Sequence, residues 1–204
     1  MRAVNIFIKR VVDLLGSIIG GIIISPILLI IALLIKLTSK GPVFFKQQRL
    51  GKDGKIFNIL KFRTMVVDAE KIGDGLFVRT EQDQRITKIG KFLRGTCLDE
   101  LPQLWNVIVG DMSLVGPRPP VPFHPYRYDE YSDFQRKRFG MRPGMTGLTQ
   151  VTVRNSVPWD ERIRVDVKYV ENFTIWLDIK ILFKTVQKIF RKESIYTQSE
   201  DMSA

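Results

Sequence analysis

With one cysteine and one histidine in 204 residues, this chain cannot belong to two large classes of protein. Cys97 has no second thiol within the chain, so no intramolecular disulfide framework holds the fold. Beside a lone His124 it cannot build a zinc centre of His and Cys ligands. A metal would have to be a hard ion on oxygen ligands, such as magnesium. There is no Walker A loop and no GxGxxG run, so the usual glycine-rich phosphate cradles are missing. His124 completes no convincing Ser/His/Asp arrangement, and no internal repeat or low-complexity stretch is present. Acidic residues are in short supply. Against 32 Lys plus Arg there are 21 Asp plus Glu, a net charge of +11 and a pI near 9.9. Anionic partners follow: nucleic acid, anionic lipid headgroups or phosphorylated small molecules.

Charge disappears altogether from Leu14 to Ile35, 22 residues that meet the length of about 20 for a membrane helix. The run ends in Lys36 without a small-residue cleavage site, unlike a signal peptide. Ser25-Pro26 interrupts it near the middle, where proline removes a backbone donor and disfavours helical geometry in the residue before it. Each half reaches roughly 15 to 18 Å, about half of a hydrocarbon core. Both flanks are basic: Arg2, Lys9 and Arg10 before the run, Lys36, Lys40, Lys46 and Arg49 after it. Positive charge favours the cytoplasmic side. A hairpin that dips in and returns satisfies both flanks, and a kinked single pass is the alternative. Asp13 lies within pairing reach of Lys9 or Arg10.

From Gly41 the chain reads as a basic globular domain. Lys36 to Arg94 carries 14 basic residues against 6 acidic ones. Val43-Phe44-Phe45 and Ile56 to Leu60 suggest strands joined by the turn Gly51-Lys52-Asp53-Gly54. Asp68 to Gly75 suggests a short helix or loop, Ile86 to Leu93 part of a helix, and Asp99 to Gly110 another. Gly116 to Pro125 holds five prolines and should be a rigid loop. Tyr126 to Phe139 is polar and helical in pattern, and Arg142 to Gly147 is rich in turn residues. Helices are expected over Pro158 to Asn172 and Ile175 to Phe190, the second capped by Thr174. In that last helix Lys180, Lys184 and Lys188 line one face, while Trp176, Ile179, Phe183, Val186 and Phe190 fill much of the rest. Such a pattern suits a membrane surface, or a helix packed on its own core.

The strongest local signal is Leu98-Asp99-Glu100-Leu101-Pro102-Gln103-Leu104-Trp105. Its carboxylates can simply start a helix, with Asp99 as N-cap and Pro102 in the first turn. The same geometry can hold a carboxylate nucleophile beside a phosphorylated substrate, one acid attacking and the other serving as base or metal ligand. Basic residues in turn-rich segments surround the pair in sequence: Lys61, Arg63, Arg85, Arg94, Arg118, Arg142 and Arg154. Arginine held in rigid segments suits bidentate phosphate recognition, although most of the 32 basic residues should be solvated. Cys97 is better explained as a small buried residue than as a thiolate.

These stretches together resemble the bacterial sugar transferases, the monotopic phosphoglycosyl transferases that start polyprenyl-linked glycan assembly. The resemblance is carried by Lys61 to Met65, Arg85 to Arg94, Leu98 to Val107, Gly110 to Pro119, Arg142 to Gln150 and Tyr169 to Asn172, in that order along nearly the whole chain. It implies an α+β, predominantly helical fold. A re-entrant membrane helix-hairpin would occupy residues 1–40, broken at Ser25 and Pro26, with both ends on the cytoplasmic face of the bacterial inner membrane. A catalytic domain would follow over 41–192, with a small β-hairpin, catalytic helices and amphipathic interfacial helices, and then a flexible tail over 193–204. It further implies that Asp99 attacks the β-phosphate of a UDP-sugar, releasing UMP and forming an aspartyl-phosphosugar. Polyprenyl (undecaprenyl) phosphate would then take the phosphosugar. Glu100 would assist the acceptor or a magnesium ion, for which Asp99 is the implied ligand. Pro117, Arg118 and Pro119 match a nucleotide-binding motif, and Lys61, Arg94 and Arg142 are candidates for phosphate contacts. At this length the chain resembles the minimal catalytic form, without the extra membrane helices of larger relatives.

Two departures are small: Cys97 stands where Ser or Thr is expected, and Thr152-Val153 where Asn-Gly is common. The region of Arg154, Asn155, Ser156 and Trp159 leans toward an N-acetylated amino-deoxy sugar. The sugar, the polyprenol length, the downstream glycan and the oligomeric state, a homodimer being one option, are not written in the sequence. The charge alone would also suit a membrane-tethered nucleic-acid binder, but no reader motif accompanies it, so no nucleic-acid partner is expected. A silent scaffold is disfavoured by the presence of both Asp99 and Glu100.

Overall fold

The apolar N-terminal run forms one long helix, α1 (Arg2–Thr38), about 55 Å in length at 1.5 Å per residue. In this computed structural model, residues 2–72, 75, 82–153 and 156–190 are described. Pro26 lies inside the helix and cannot donate to the carbonyl of Ile22. The Ser25 hydroxyl takes that place, donating to Ile22 O at 2.8 Å, so the carbonyl that proline leaves free is still paired. Helical backbone thus carries on across Ser25 and Pro26, with the proline as the point where the helix can bend without ending. It is the one described helix long and apolar enough to cross a membrane.

Both halves of α1 rest on the rest of the protein. Near its start, Lys9, Asp13 and Ser17 are buried at i, i+4 spacing; near its end, Ile31 and Ile35 are. Ile31 and Ile35 pack with Phe62 and Leu93. The Arg63 guanidinium holds the exit of the helix, donating to Lys40 O at 2.6 Å and Ser39 O at 2.9 Å. Between these anchors a side chain added at Gly20 or Gly21 would meet nothing, and large apolar residues such as Ile22, Ile23, Leu29 and Leu33 are exposed.

The hairpin forms as expected but is longer. Strand β1 (Phe44–Leu50) pairs antiparallel with β2 (Ile56–Phe62), from Phe44 opposite Phe62 to Leu50 opposite Ile56. Its turn needs left-handed backbone at Asp53 and Gly54. Helix α2 (Lys88–Gly95) starts at Thr87, whose hydroxyl accepts from Gly90 N, and α3 (Gln103–Val109) follows the acidic turn. A parallel pair, β3 (Ser113–Val115) with β4 (Gly144–Thr146), was not legible in the sequence. It brings two loops so close that a side chain at Gly144 would sit 2.0 Å from Gly116 N.

Tyr126 to Phe139 is not one helix. It breaks into a 3-10 turn, the short α4 (Asp133–Arg136) and a second 3-10 turn. Helices α5 (Leu148–Thr152), α6 (Trp159–Glu171) and α7 (Ile175–Phe190) close the domain. Val115, Tyr169, Val170, Phe173 and Ile181 form one core among them. One face of α7 packs on this core through Ile181, while Trp176, Ile179, Phe183 and Val186 stay exposed. Arg154, Asn155 and the tail from 193 onward lie outside the described residues.

Candidate active site

The acidic pair does not cap a helix. Cys97 adopts a left-handed conformation (φ 57°) after α2, and Leu98–Glu100 form a single 3-10 turn with no side-chain cap. The α-helix begins only at Gln103, after Pro102. Asp99 and Glu100 are thus freed from capping and stand half-buried on the turn between α2 and α3.

Strand β2 brings the counter-charge. Lys61 Nζ lies 2.6 Å from Glu100 Oε1. The junction that sets this distance is built by Asn106 of α3, a buried residue. Its carboxamide accepts from Leu60 N at 2.9 Å and donates to Asn58 O at 2.8 Å. One side chain thereby takes the place of a third strand on the outer edge of β2, immediately before Lys61.

Across the turn lies a small cleft open to solvent, lined by Arg49, Ile59, Lys61, Glu100, Gln103, Arg118, Pro119, Gly144 and Met145. Arg49 Nη1 donates to Pro119 O at 3.0 Å. Arg138, itself buried and paired with Asp166 at 2.6 Å, donates to Arg118 O at 2.9 Å. The Pro117-Arg118-Pro119 loop is therefore fixed from both sides. Pro117 faces the neighbouring apolar hollow with Leu50, Phe139 and Met141, and its carbonyl accepts from Gly144 N at 3.0 Å.

The two acids are pushed apart in acidity. Burial raises Asp99 to about 6, with the Glu100 charge adding to the rise and Lys61 and Arg94 opposing it. Burial also works to raise Glu100, but Lys61, Arg118 and Arg49 outweigh it together and hold it down to about 2. Around neutrality Glu100 is a fixed anion, whereas Asp99 is the more basic carboxylate. Arg49 is lowered to about 10 mainly by burial, with the Arg118 charge adding to the fall and Glu100 and Glu70 opposing it.

Sequence and structure agree on bringing Lys61, Arg118 and Pro119 to Glu100, with Arg94 close enough to act on Asp99. They part over Arg142. Its Nε donates to Gly110 O at 2.7 Å, beside Arg10, which donates to Val107 O and Ile108 O. These two arginines cap the C-terminus of α3, and Arg142 does not line the cleft. Arg49 and Gln103 do line it and were not singled out. Arg49 alternates with Gln47 along β1, a pattern that also fits a solvated edge strand.

Among the described residues no group of three or more His, Cys, Asp or Glu could hold a metal ion. Magnesium needs less than that, because one or two carboxylates suffice when substrate phosphates supply the remaining oxygens. Asp99 forms no salt bridge among the described residues, and Glu100 stays ionised beside it, so the donor set fits a magnesium ion shared with a phosphorylated substrate.

Residues 4–192 match the family model described as bacterial sugar transferase. Over 201 residues the chain is 43% identical to a UDP-glucose:undecaprenyl-phosphate glucose-1-phosphate transferase of Klebsiella pneumoniae, covering 96% of this chain and 43% of that protein. It is 43% identical to an undecaprenyl-phosphate galactose phosphotransferase of Salmonella typhimurium, covering 93% and 42%. An uncharacterized sugar transferase, EpsL, of Bacillus subtilis is 40% identical, covering 92% and 90%. The chain thus spans less than half the length of the first two relatives and most of the third. With nearly its whole length matched, the chain belongs to the bacterial sugar transferase family.

Proposed function

We propose that this protein transfers a sugar 1-phosphate from a UDP-sugar to undecaprenyl phosphate, in two displacements at Asp99. The observation that carries this reading is the split carboxylate pair beside a cleft that holds Arg49, Lys61 and Arg118 against one fixed anion, Glu100. Two relatives bear names that state this class of reaction.

In the first displacement an Asp99 oxygen attacks the phosphorus that carries the sugar. The bond from that phosphorus to the bridging oxygen breaks, and UMP leaves with the bond electrons. In the second, an oxygen of undecaprenyl phosphate attacks the same phosphorus, the acyl-phosphate bond breaks and the Asp99 carboxylate is restored. Its raised pKa makes the Asp99 carboxylate more basic and a better nucleophile than an ordinary aspartate, while leaving most of it ionised above pH 7. Glu100 holds Lys61 in place against the phosphate oxygens. Arg118 and Lys61 bind the diphosphate, and Arg94 supports the Asp99 anion. A magnesium ion held by Asp99 and the substrate phosphates would neutralise the charge of the diphosphate.

The packing of α1 supports one membrane arrangement over another. Its start and its end both pack on one domain, so a straight crossing, which would carry the two ends to opposite faces, fits poorly. We read α1 as dipping into the cytoplasmic face of the inner membrane and returning, with its exposed apolar middle in lipid and α7 lying in the interface. The acceptor lipid then meets the active site at the membrane surface.

The test is UMP release by the purified protein from a panel of UDP-sugars with magnesium and undecaprenyl phosphate. Release that needs the lipid and is lost in Asp99→Asn supports the reading and identifies the sugar. Release from no donor by a folded preparation in a membrane mimetic would overturn it.

A further inference from the structure

Gln103 is 2% exposed, yet it lines the cleft beside Arg49, Lys61, Glu100 and Arg118. Among the described residues its carboxamide has no hydrogen-bond partner. Gln150 is unpartnered too, but both of its amide atoms are sealed from solvent; those of Gln103 are not. A side chain this buried keeps little of its water, and its amide stays open to a ligand that enters the cleft. The neighbours narrow the ligand. Three cations face a single carboxylate, so the group that enters is an anion with several acceptor oxygens. A neutral amide among them adds a directional donor without adding charge.

We infer that Gln103 is a substrate-binding residue whose carboxamide donates to a phosphate oxygen held by Lys61, Arg118 and Arg49. This inference rests on the transferase reading for the identity of the substrates, but not for the existence of the subsite. The phosphate oxygen belongs either to the donor diphosphate or to the acceptor monophosphate, and the chemistry of the contact is the same. The Gln103 side chain follows Glu100 by three residues, so it lies on the stretch of chain that carries the reacting carboxylates.

The experiment compares the full chain with Gln103→Met, which keeps the length and removes the amide, and Gln103→Glu, which keeps the shape and replaces the donor with a repelling charge. Melting temperature is measured without ligand, and affinity is measured for UDP and for a short-chain isoprenyl monophosphate, each with magnesium. Gln103→Met is expected to melt no lower than the wild type and to bind one of the two ligands about 10-fold or more weakly. Gln103→Glu should weaken the same ligand at least as far. Loss confined to UDP assigns the oxygen to the donor, and loss confined to the monophosphate assigns it to the acceptor. A lowered melting temperature with both affinities unchanged would make Gln103 a structural residue and overturn the inference. If these affinities depend on Gln103 but no UDP-sugar yields UMP, the subsite stands and the transferase reading fails.

Discussion

Among the described residues, two of the clusters of half-buried and buried charge are built on opposite principles. The first joins α1 to the domain. Lys9 is paired with Asp178 at 2.6 Å, donates to Val115 O at 2.8 Å and lies 3.9 Å from Asp13. Asp13 in turn accepts from Ser113 Oγ at 2.6 Å and Leu114 N at 3.0 Å, while Tyr169 donates to Asp178 at 2.7 Å. Every charge there has a partner, and water has little access. The second cluster is the cleft, where Arg49, Lys61 and Arg118 share Glu100, and where Asp99 has no salt bridge and the Gln103 carboxamide no hydrogen bond among the described residues. A closed network fixes geometry, whereas an incomplete one reserves its free energy for a ligand.

The largest effect expected from this contrast is on transfer. Asp99→Asn removes the proposed nucleophile and should cut UMP release by at least about 1,000-fold. Lys9→Met attacks the joint instead. It strands Asp178 and Asp13 without their cation and should cost about 3–5 kcal/mol of stability, read from denaturant unfolding in detergent. Lys61→Met separates the two clusters most clearly. It should lower kcat/KM about 100-fold, close to 3 kcal/mol, yet cost less stability than Lys9→Met, because Lys61 and Glu100 retain contact with water.

A smaller effect has a sign that can be worked out. The raised Asp99 contributes stability in its protonated form, fully present below its ordinary value near 4 and lost as pH rises through about 6. Asparagine does not titrate. Asp99→Asn should therefore be the more stable protein at pH 7.5, by roughly 1 kcal/mol after allowance for partial exposure, and the advantage should vanish toward pH 4. Thermal melts at the two pH values check this. Equal stability differences at both would mean that Asp99 is not strained. The smallest effect is the control: Lys137 and Glu171 pair at 2.7 Å with both side chains about half exposed, and Lys137→Ala should change stability by at most about 0.5 kcal/mol.

Much of the cleft was legible because its residues sit in long, ordered motifs. Asp99 and Glu100 stood out as adjacent acids, Arg118 as an arginine between prolines, and the hairpin as two apolar runs around a Gly-Lys-Asp-Gly turn. What could not be read locally was set by distant partners. Asp99 looked like an N-cap, but the left-handed turn at Cys97 delays the helix to Gln103. Arg142 looked like a phosphate ligand, but packing sends it to the carbonyl end of α3. Lys9 and Asp13 were recognised as a possible pair, but their main partners lie about 100 residues or more away, at Ser113, Val115 and Asp178. The β3–β4 pair is too short to show a period, and it forms only because Gly116, Gly144 and Gly147 allow the backbones to touch. Gln103 and Arg49 carry no signal of their own, since an isolated glutamine or arginine is ordinary until burial removes its other options.

The most direct test of the central claim is the intact mass of the protein after incubation with its UDP-sugar and magnesium, without a lipid acceptor. A covalent phosphosugar adduct is expected, formed with an equal amount of UMP, absent in Asp99→Asn and discharged when undecaprenyl phosphate is added. Turnover that proceeds only with both substrates present, leaves no adduct and survives Asp99→Asn would contradict the role of Asp99.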